Sequence, residues 1–183
     1  MEVRPASVDD AARIAEIHVL GWQAGYRGLM PQHYLDGLDP AQRVPRWVMS
    51  LRDGDGSRGG CLVVADDDGV PTGFASVGQS RDDDAEPGKV GEVMAIYLAP
   101  DSWGRGIGRE LMAAGLKHLV GLGYVEATLW VLDTNARARR FYEAAGLRPD
   151  GGIKVDESLG FPLRELRYRR SLRGLAAGDR VTS

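Results

Sequence analysis

The stretch that most constrains this chain is Ala95 to Leu111, AIYLAPDSWGRGIGREL. An apolar run, Met94 to Leu98, stops at Pro100, a glycine-rich turn spans 104–108, and an amphipathic segment opens at once. The order is strand, turn, helix. Glycines allow left-handed backbone and close approach of a ligand. The helix that follows begins with N–H groups that have no partner within it, at the positive end of its dipole. Together these features predict an anion site, most simply for a phosphate or pyrophosphate. On the glycines alone, a strand–helix turn that binds nothing is the alternative. A P-loop is excluded because the chain has no Gly-Lys-Ser/Thr triplet. A dinucleotide fingerprint fails as well: counted from Gly104 its last glycine falls on Arg109, and counted from Gly106 it falls on Leu111.

The chain's 183 residues are enough for one domain with a sizeable core, expected over 1–172, with a disordered tail at 173–183. The net charge of −3 argues against a nucleic-acid surface. One cysteine, Cys61, excludes an internal disulfide, and its place in CLVVA predicts buried core. No apolar run approaches the roughly 20 residues of a membrane span. MEVRPASVDD does not read as a signal peptide, so a cytoplasmic protein is expected. The acidic runs Asp66–Asp68 and Asp82–Asp84 lack calcium-loop spacing and read as solvated turns, so no metal site is expected.

Along the chain, Glu2 to Ala6 reads as a strand, and Ser7 with Asp9 and Asp10 as a helix start running to about Gly21. GWQAGYRGLMPQHYLDGLDP reads as short irregular helices, and Ala41 to Leu51 as a helix introduced by Asp39-Pro40. Arg52 to Gly60 reads as a loop. Cys61–Asp66 and Val70–Gly78 read as a hairpin, Val90–Leu98 as the strand entering the glycine turn, and Gly106–Leu122 as its helix. Tyr124–Leu132 reads as a further strand. In the helix after it, Ala138, Phe141, Tyr142 and Ala145 form one buried face, closed by Gly146. Leu147–Ile153 and Leu163–Leu172 complete the strands.

GEVMAIYLAPDSWGRGIGRELM, then TLWVLDTNARARRFYEAAGL, then a terminal strand occur in one order at one spacing. This combination resembles the GNAT N-acetyltransferase superfamily over roughly Val3 to Leu172. The resemblance implies a mixed α/β (α+β) fold with a central, mostly antiparallel sheet of about seven strands flanked by helices. It implies acetyl-coenzyme A as donor and a primary amine as acceptor, either a small molecule or a peptide N-terminus. The chemistry it implies is direct attack in a ternary complex. A homodimer is a further expectation from the general frequency of such assemblies.

Site residues follow from the resemblance position by position. The family loop is Arg/Gln-x-x-Gly-x-Gly/Ala; Gly106 and Gly108 fill its glycine positions, while Trp103 stands where Arg or Gln is common. Backbone N–H groups from Gly104 through Ile107 to Arg109 are the implied phosphate ligands, with Arg105 and Arg109 adding charge or serving as plain surface arginines. Ile96, Tyr97 and Leu98 match the strand whose backbone pairs with the pantetheine arm; their side chains read as sheet core. Asn135 is the implied hydrogen-bond partner of the cofactor arm, or simply a helix N-cap. Tyr142 is the implied proton donor to the departing thiolate, or a core aromatic. Glu92 matches a position where several members carry a catalytic glutamate, against a reading as a strand-edge carboxylate; Asp133, Asp156, Glu157 and His33 are its rivals as base. Trp22 and Tyr26, with Tyr34, match the region that walls the acceptor site. A non-catalytic acyl-CoA sensor of the same fold, and an unrelated nucleotide-phosphate binder, remain as alternatives.

Overall fold

The computed structural model of the chain describes residues 2–53 and 59–175. The centre of the expected loop, 54–58, and the expected tail from 176 onward lie outside the described residues.

Seven strands form one sheet: β1 (Glu2–Pro5), β2 (Gly59–Ala65), β3 (Pro71–Gln79), β4 (Val90–Leu98), β5 (Glu126–Leu132), β6 (Arg148–Asp156) and β7 (Leu163–Ser171). Their order is β1-β2-β3-β4-β5-β7-β6, and β4–β5 is the parallel pair in an otherwise antiparallel sheet. The helices are α1 (Ala11–Gly25), α2 (Gln32–Asp36), α3 (Pro40–Asp53), α4 (Ile107–Gly121) and α5 (Ala136–Ala144). α1 begins after a 3₁₀ turn in which the Ser7 N–H donates to Asp10 Oδ2 at 2.7 Å, and it runs four residues past the expected Gly21. Asp39 accepts from the Ala41 N–H and starts α3.

Side chains alternate across the sheet, as the two-residue strand period requires. Val63, Phe74, Ala95 and Tyr97 face α1 and α3, where Ile14, Ile17 and Trp47 meet them. Leu62, Val64, Ala75 and Ile96 face α4, packing on Ile107 and Leu111. The alternation changes phase once in β4. Ser76 pairs with Ala95 but Val77 pairs with Val93, so Met94 is the extra residue of a β-bulge. The bulge places Val93 on the α4 side with Ile96, and so returns Glu92 to the face that carries Tyr97.

The β4–β5 pairing lasts only from Val90↔Glu126 to Glu92↔Thr128. Beyond the bulge the two strands separate, since a bulge bends its strand and increases local twist. The separation also explains a departure from expectation at α5. Its apolar face was expected to be buried, yet Ala138, Phe141 and Tyr142 are only partly covered, because that face borders the opening. Cys61 is half-buried in β2, where burial pushes its thiol up to about 12, so it remains an un-ionised thiol at neutral pH.

Candidate active site

A cavity of about 190 Å³ lies between the far half of β4 and α5, the helix that follows β5. Ile96, Tyr97 and Leu98 form one wall, and Asn135, Ala138 and Tyr142 of α5 the other. Trp103 and Gly108 close the end next to the glycine turn. Gly104 and Gly106 have φ of 77° and 83°, left-handed values that a side chain would strain. In this conformation the N–H groups of 104–108 donate to no acceptor among the described residues. The Arg109 N–H is different: it donates to Gly106 O at 3.0 Å, so it is withdrawn from the expected set of phosphate ligands. The Ile107 side chain is core, which leaves only its backbone at the turn. Arg105 and Arg109 extend from the turn as exposed side chains.

Trp103 fastens the turn to the strand: its indole N–H donates to Leu98 O at 3.2 Å. The Arg137 guanidinium covers the same ring at 3.8 Å. Arg137 also lines the cavity, and the sequence reading left it out. Widening the α5 stripe to 137, 138, 141 and 142 would have found it, since these positions share one helical face. Asn135 caps α5, accepting from the Ala138 N–H at Oδ1, which leaves its amide NH₂ to face the cavity. Capping and ligand contact are therefore compatible in one side chain. The Tyr142 hydroxyl has no hydrogen-bond partner among the described residues, and burial holds its phenol well above the usual range.

A second cavity, about 770 Å³, lies on the α1–α3 side of the sheet. Trp22, Tyr26, Tyr34, Glu92, Asp156 and Trp130 are among its lining residues. Among the described residues, Tyr26 and Tyr97 are the two that border both cavities, and their hydroxyls are 3.1 Å apart. Burial, reinforced by their mutual contact, raises the Tyr26 phenol well above 10, so the pair is neutral. The reading of Tyr97 as plain sheet core is thus corrected: its side chain stands at the junction. α1 approaches it closely because position 21 is glycine, where a Cβ would sit 3.0 Å from Tyr97 Cδ1.

Glu92 is almost fully buried, with its carboxylate held by Arg81. Nη2 of Arg81 donates to Oε1 at 2.7 Å, while its backbone N–H and Nε donate to Oε2 at 3.1 and 3.3 Å. The Arg81 side chain itself is 66% exposed. Of the rival carboxylates, Asp133 accepts from Arg164 and borders neither cavity. Asp156 lines the second cavity, where its Oδ1 accepts from the Ser158 N–H and so keeps the carboxyl below its usual range. His33 is exposed and outside both cavities, and Glu157 borders neither. Among the described residues, no cluster of histidine, cysteine or carboxylate side chains could hold a metal ion.

The splayed sheet, free-amide turn and capped helix define a class that comparison with known proteins identifies. Residues 14–147 match the acetyltransferase (GNAT) family, and the chain belongs to that family. An uncharacterised N-acetyltransferase of Archaeoglobus fulgidus is 35% identical over 153 residues, covering 83% of this chain and 97% of the relative. Among solved structures, the PaiA N-acetyltransferase of Thermoplasma acidophilum, determined in complex with coenzyme A, superposes with a TM-score of 0.67 at 19% identity. That match covers 93% of this chain and 98% of the other. YncA of Salmonella typhimurium, a putative acetyltransferase determined with its cofactor acetyl-CoA, gives 0.65 at 24% identity over 94% of each chain.

Proposed function

We propose that the protein is an N-acetyltransferase that moves acetyl from acetyl-coenzyme A to a primary amine by direct attack in a ternary complex. One observation carries this reading: a groove beginning at five free backbone N–H groups meets a separate, larger cavity at a single pair of tyrosines. Two compartments with one junction suit a donor and an acceptor that must react with each other. The family membership and the coenzyme-bound structural relatives support the choice of donor.

In this mechanism the N–H groups of 104–108 bind the pyrophosphate, with Arg105, Arg109 and Arg137 supplying positive charge around it. The unpaired edge of β4 at Ile96–Leu98 takes the pantetheine arm as an added strand, and the Asn135 amide holds it from α5. The amine nitrogen attacks the thioester carbonyl from the second cavity. A C–N bond forms, the C–S bond breaks, the thiolate takes a proton from Tyr142, and the proton released by the acylated nitrogen restores the phenol. Glu92 accepts the proton lost by the substrate ammonium, through water, once the exposed guanidinium of Arg81 has moved aside. Proximity and backbone N–H groups facing the thioester oxygen supply the remaining acceleration.

The Arg81–Glu92 pair also favours a second reading, a sensor that binds acyl-CoA without turnover, because the carboxylate is already neutralised. Coenzyme A release, measured with peptides, polyamines, amino acids and aminoglycosides, separates the two. Release that depends on one amine class supports the enzyme. Acetyl-CoA binding without release across the panel supports the sensor. Tight ATP or NAD binding without acetyl-CoA binding would instead support the nucleotide reading.

A further inference from the structure

The second cavity is lined by charges of both signs, and among its carboxylates only Asp156, at the end of β6, is in no ion pair among the described residues. Four of its lining residues are basic (Arg43, Arg46, Arg81 and Lys154). Arg81 is paired with Glu92, and Lys154 with Glu165 at 3.2 Å. Asp82, also in the lining, is paired with Arg167. Arg43 and Arg46 have no carboxylate partner among the described residues. Both lie on α3, and the α3 residues that line the cavity are Arg43, Arg46, Trp47 and Ser50. The spacing i, i+3, i+4, i+7 is one face of a helix, so the arginines share the cavity-facing stripe with the buried Trp47.

Arg46 is exposed at the edge of the cavity, and two further observations direct Arg43 inward. The Arg43 guanidinium lies 5.1 Å from the Trp22 ring centroid, which fixes its plane against an aromatic face. His18, which also lines the cavity, is kept neutral first by burial and then by the positive charge of Arg43 and Arg46. The Trp22 ring is 5.2 Å from that of Tyr26. One aromatic side chain therefore separates the Arg43 guanidinium from the junction where the acetyl group arrives.

We infer that α3 carries an anion subsite, and that the acceptor is a small amine bearing a carboxylate: a free amino acid with an apolar or aromatic side chain. This rests on the acetyltransferase reading and assigns its substrate class. Arg43 and Arg46 bind the carboxylate through charge-assisted hydrogen bonds. The amino group is then directed to the Tyr26–Tyr97 junction, and the side chain packs among Trp22, Trp47 and Trp130. The two unpaired guanidinium groups repel a polyamine laid along α3, which leaves Asp156 as the one unpaired carboxylate of the cavity, among the described residues, for an ammonium group.

The test compares each of several amino acids (leucine, methionine, phenylalanine) with its own amide, in wild-type protein and in Arg43→Gln and Arg46→Gln. Taking the acid-to-amide ratio of kcat/KM within each protein cancels the intrinsic difference in amine basicity. The expected result is a ratio that falls about 10- to 100-fold in either variant, through loss of the acid alone, with the amide and the KM for acetyl-CoA unmoved. Arg43→Lys is expected to retain part of the preference. An unchanged ratio, equal loss of acid and amide, or a preference for polyamines or peptide N-termini over free amino acids overturns the inference while leaving the acetyltransferase reading intact. The same titrations followed by tryptophan fluorescence on the coenzyme A-saturated protein read the subsite without turnover. Arginine-dependent binding of the acid there supports the subsite even if no amine releases coenzyme A, a result that would overturn the acetyltransferase reading alone.

Discussion

Burial holds the Tyr142 phenol well above its ordinary value of 10.0, so it keeps its proton at neutral pH and can serve as the donor that the proposed mechanism asks for. Tyr142→Phe removes that donor and little else, since the hydroxyl has no partner among the described residues. The expected outcome is a loss in kcat of about 100-fold or more, with acetyl-CoA affinity within about twofold of wild type, read by steady-state kinetics and direct binding. His18 makes a separate prediction. Desolvation lowers its pKa to about 3, from an ordinary value of 6.5. A depressed base binds its proton in the unfolded chain before the folded one, so stability is complete above pH 6.5 and falls as the pH drops from there toward 3. The slope for one proton is about 1.4 kcal/mol per pH unit. Urea unfolding of His18→Phe is expected to lack this component between pH 6.5 and 5, above the range of ordinary carboxylates. The places of Tyr142 and Asn135 at α5, beside the first cavity, were legible because their motif fixes both their identity and their helix. Tyr97 was not, because nothing in AIYL reveals which face of the sheet each side chain takes once a bulge has shifted the alternation.

The glycine turn and α4 act together as one device. Gly106 precedes the helix at φ 83°, and that backbone leaves the following N–H groups pointing outward instead of into a preceding turn. A Cβ at 106 would meet no heavy atom within 4 Å, so Gly106→Ala isolates the backbone effect from any steric clash. The left-handed conformation costs a residue with a side chain about 1–2 kcal/mol. If the turn relaxes to avoid that cost, the N–H array is lost, and the Kd for coenzyme A should rise at least about tenfold by calorimetry. Retained affinity with only a lowered melting temperature would show that the array survives the strain. This element was the most legible in the chain, because glycine spacing encodes backbone conformation directly. The α3 stripe shows the opposite case. Arg43, Arg46, Trp47 and Ser50 are spaced as a helix face in the sequence, yet a polar helix face ordinarily points to solvent. Only the packing of α3 beside α1 sets this face along the second cavity, with Trp47 buried and Arg46 and Ser50 at the exposed edge.

Across the whole molecule, the second cavity is bordered by apolar clusters and by a charge network centred on Arg167. Arg167 on β7 has an 11% exposed side chain and reaches Asp82 and Asp84 in the 80–89 segment and Asp150 on β6, at 3.2, 2.6 and 2.8 Å. The Trp130 indole N–H also donates to Asp82. That segment begins at the residue pair Ser80–Arg81, so the network that anchors it also sets where Arg81 meets Glu92. The first cavity, the proposed donor groove, does not use this network: its walls are the far half of β4, the glycine turn and α5. Arg167→Ala removes the cation shared by Asp82, Asp84 and Asp150, although Asp150 keeps Arg169 at 2.9 Å and Asp82 keeps the Trp130 indole N–H. Partial exposure moderates the penalty, giving an expected loss of about 1–3 kcal/mol, or several degrees in melting temperature. High salt should recover part of it, because the uncompensated repulsion lies near the surface. The functional consequence is asymmetric: the KM for the acceptor amine should rise by more than the KM for acetyl-CoA, because only the acceptor cavity borders the released segment. Equal rises in the two constants would mean instead that the disturbance crosses the Tyr26–Tyr97 pair, and that the two compartments move as one body.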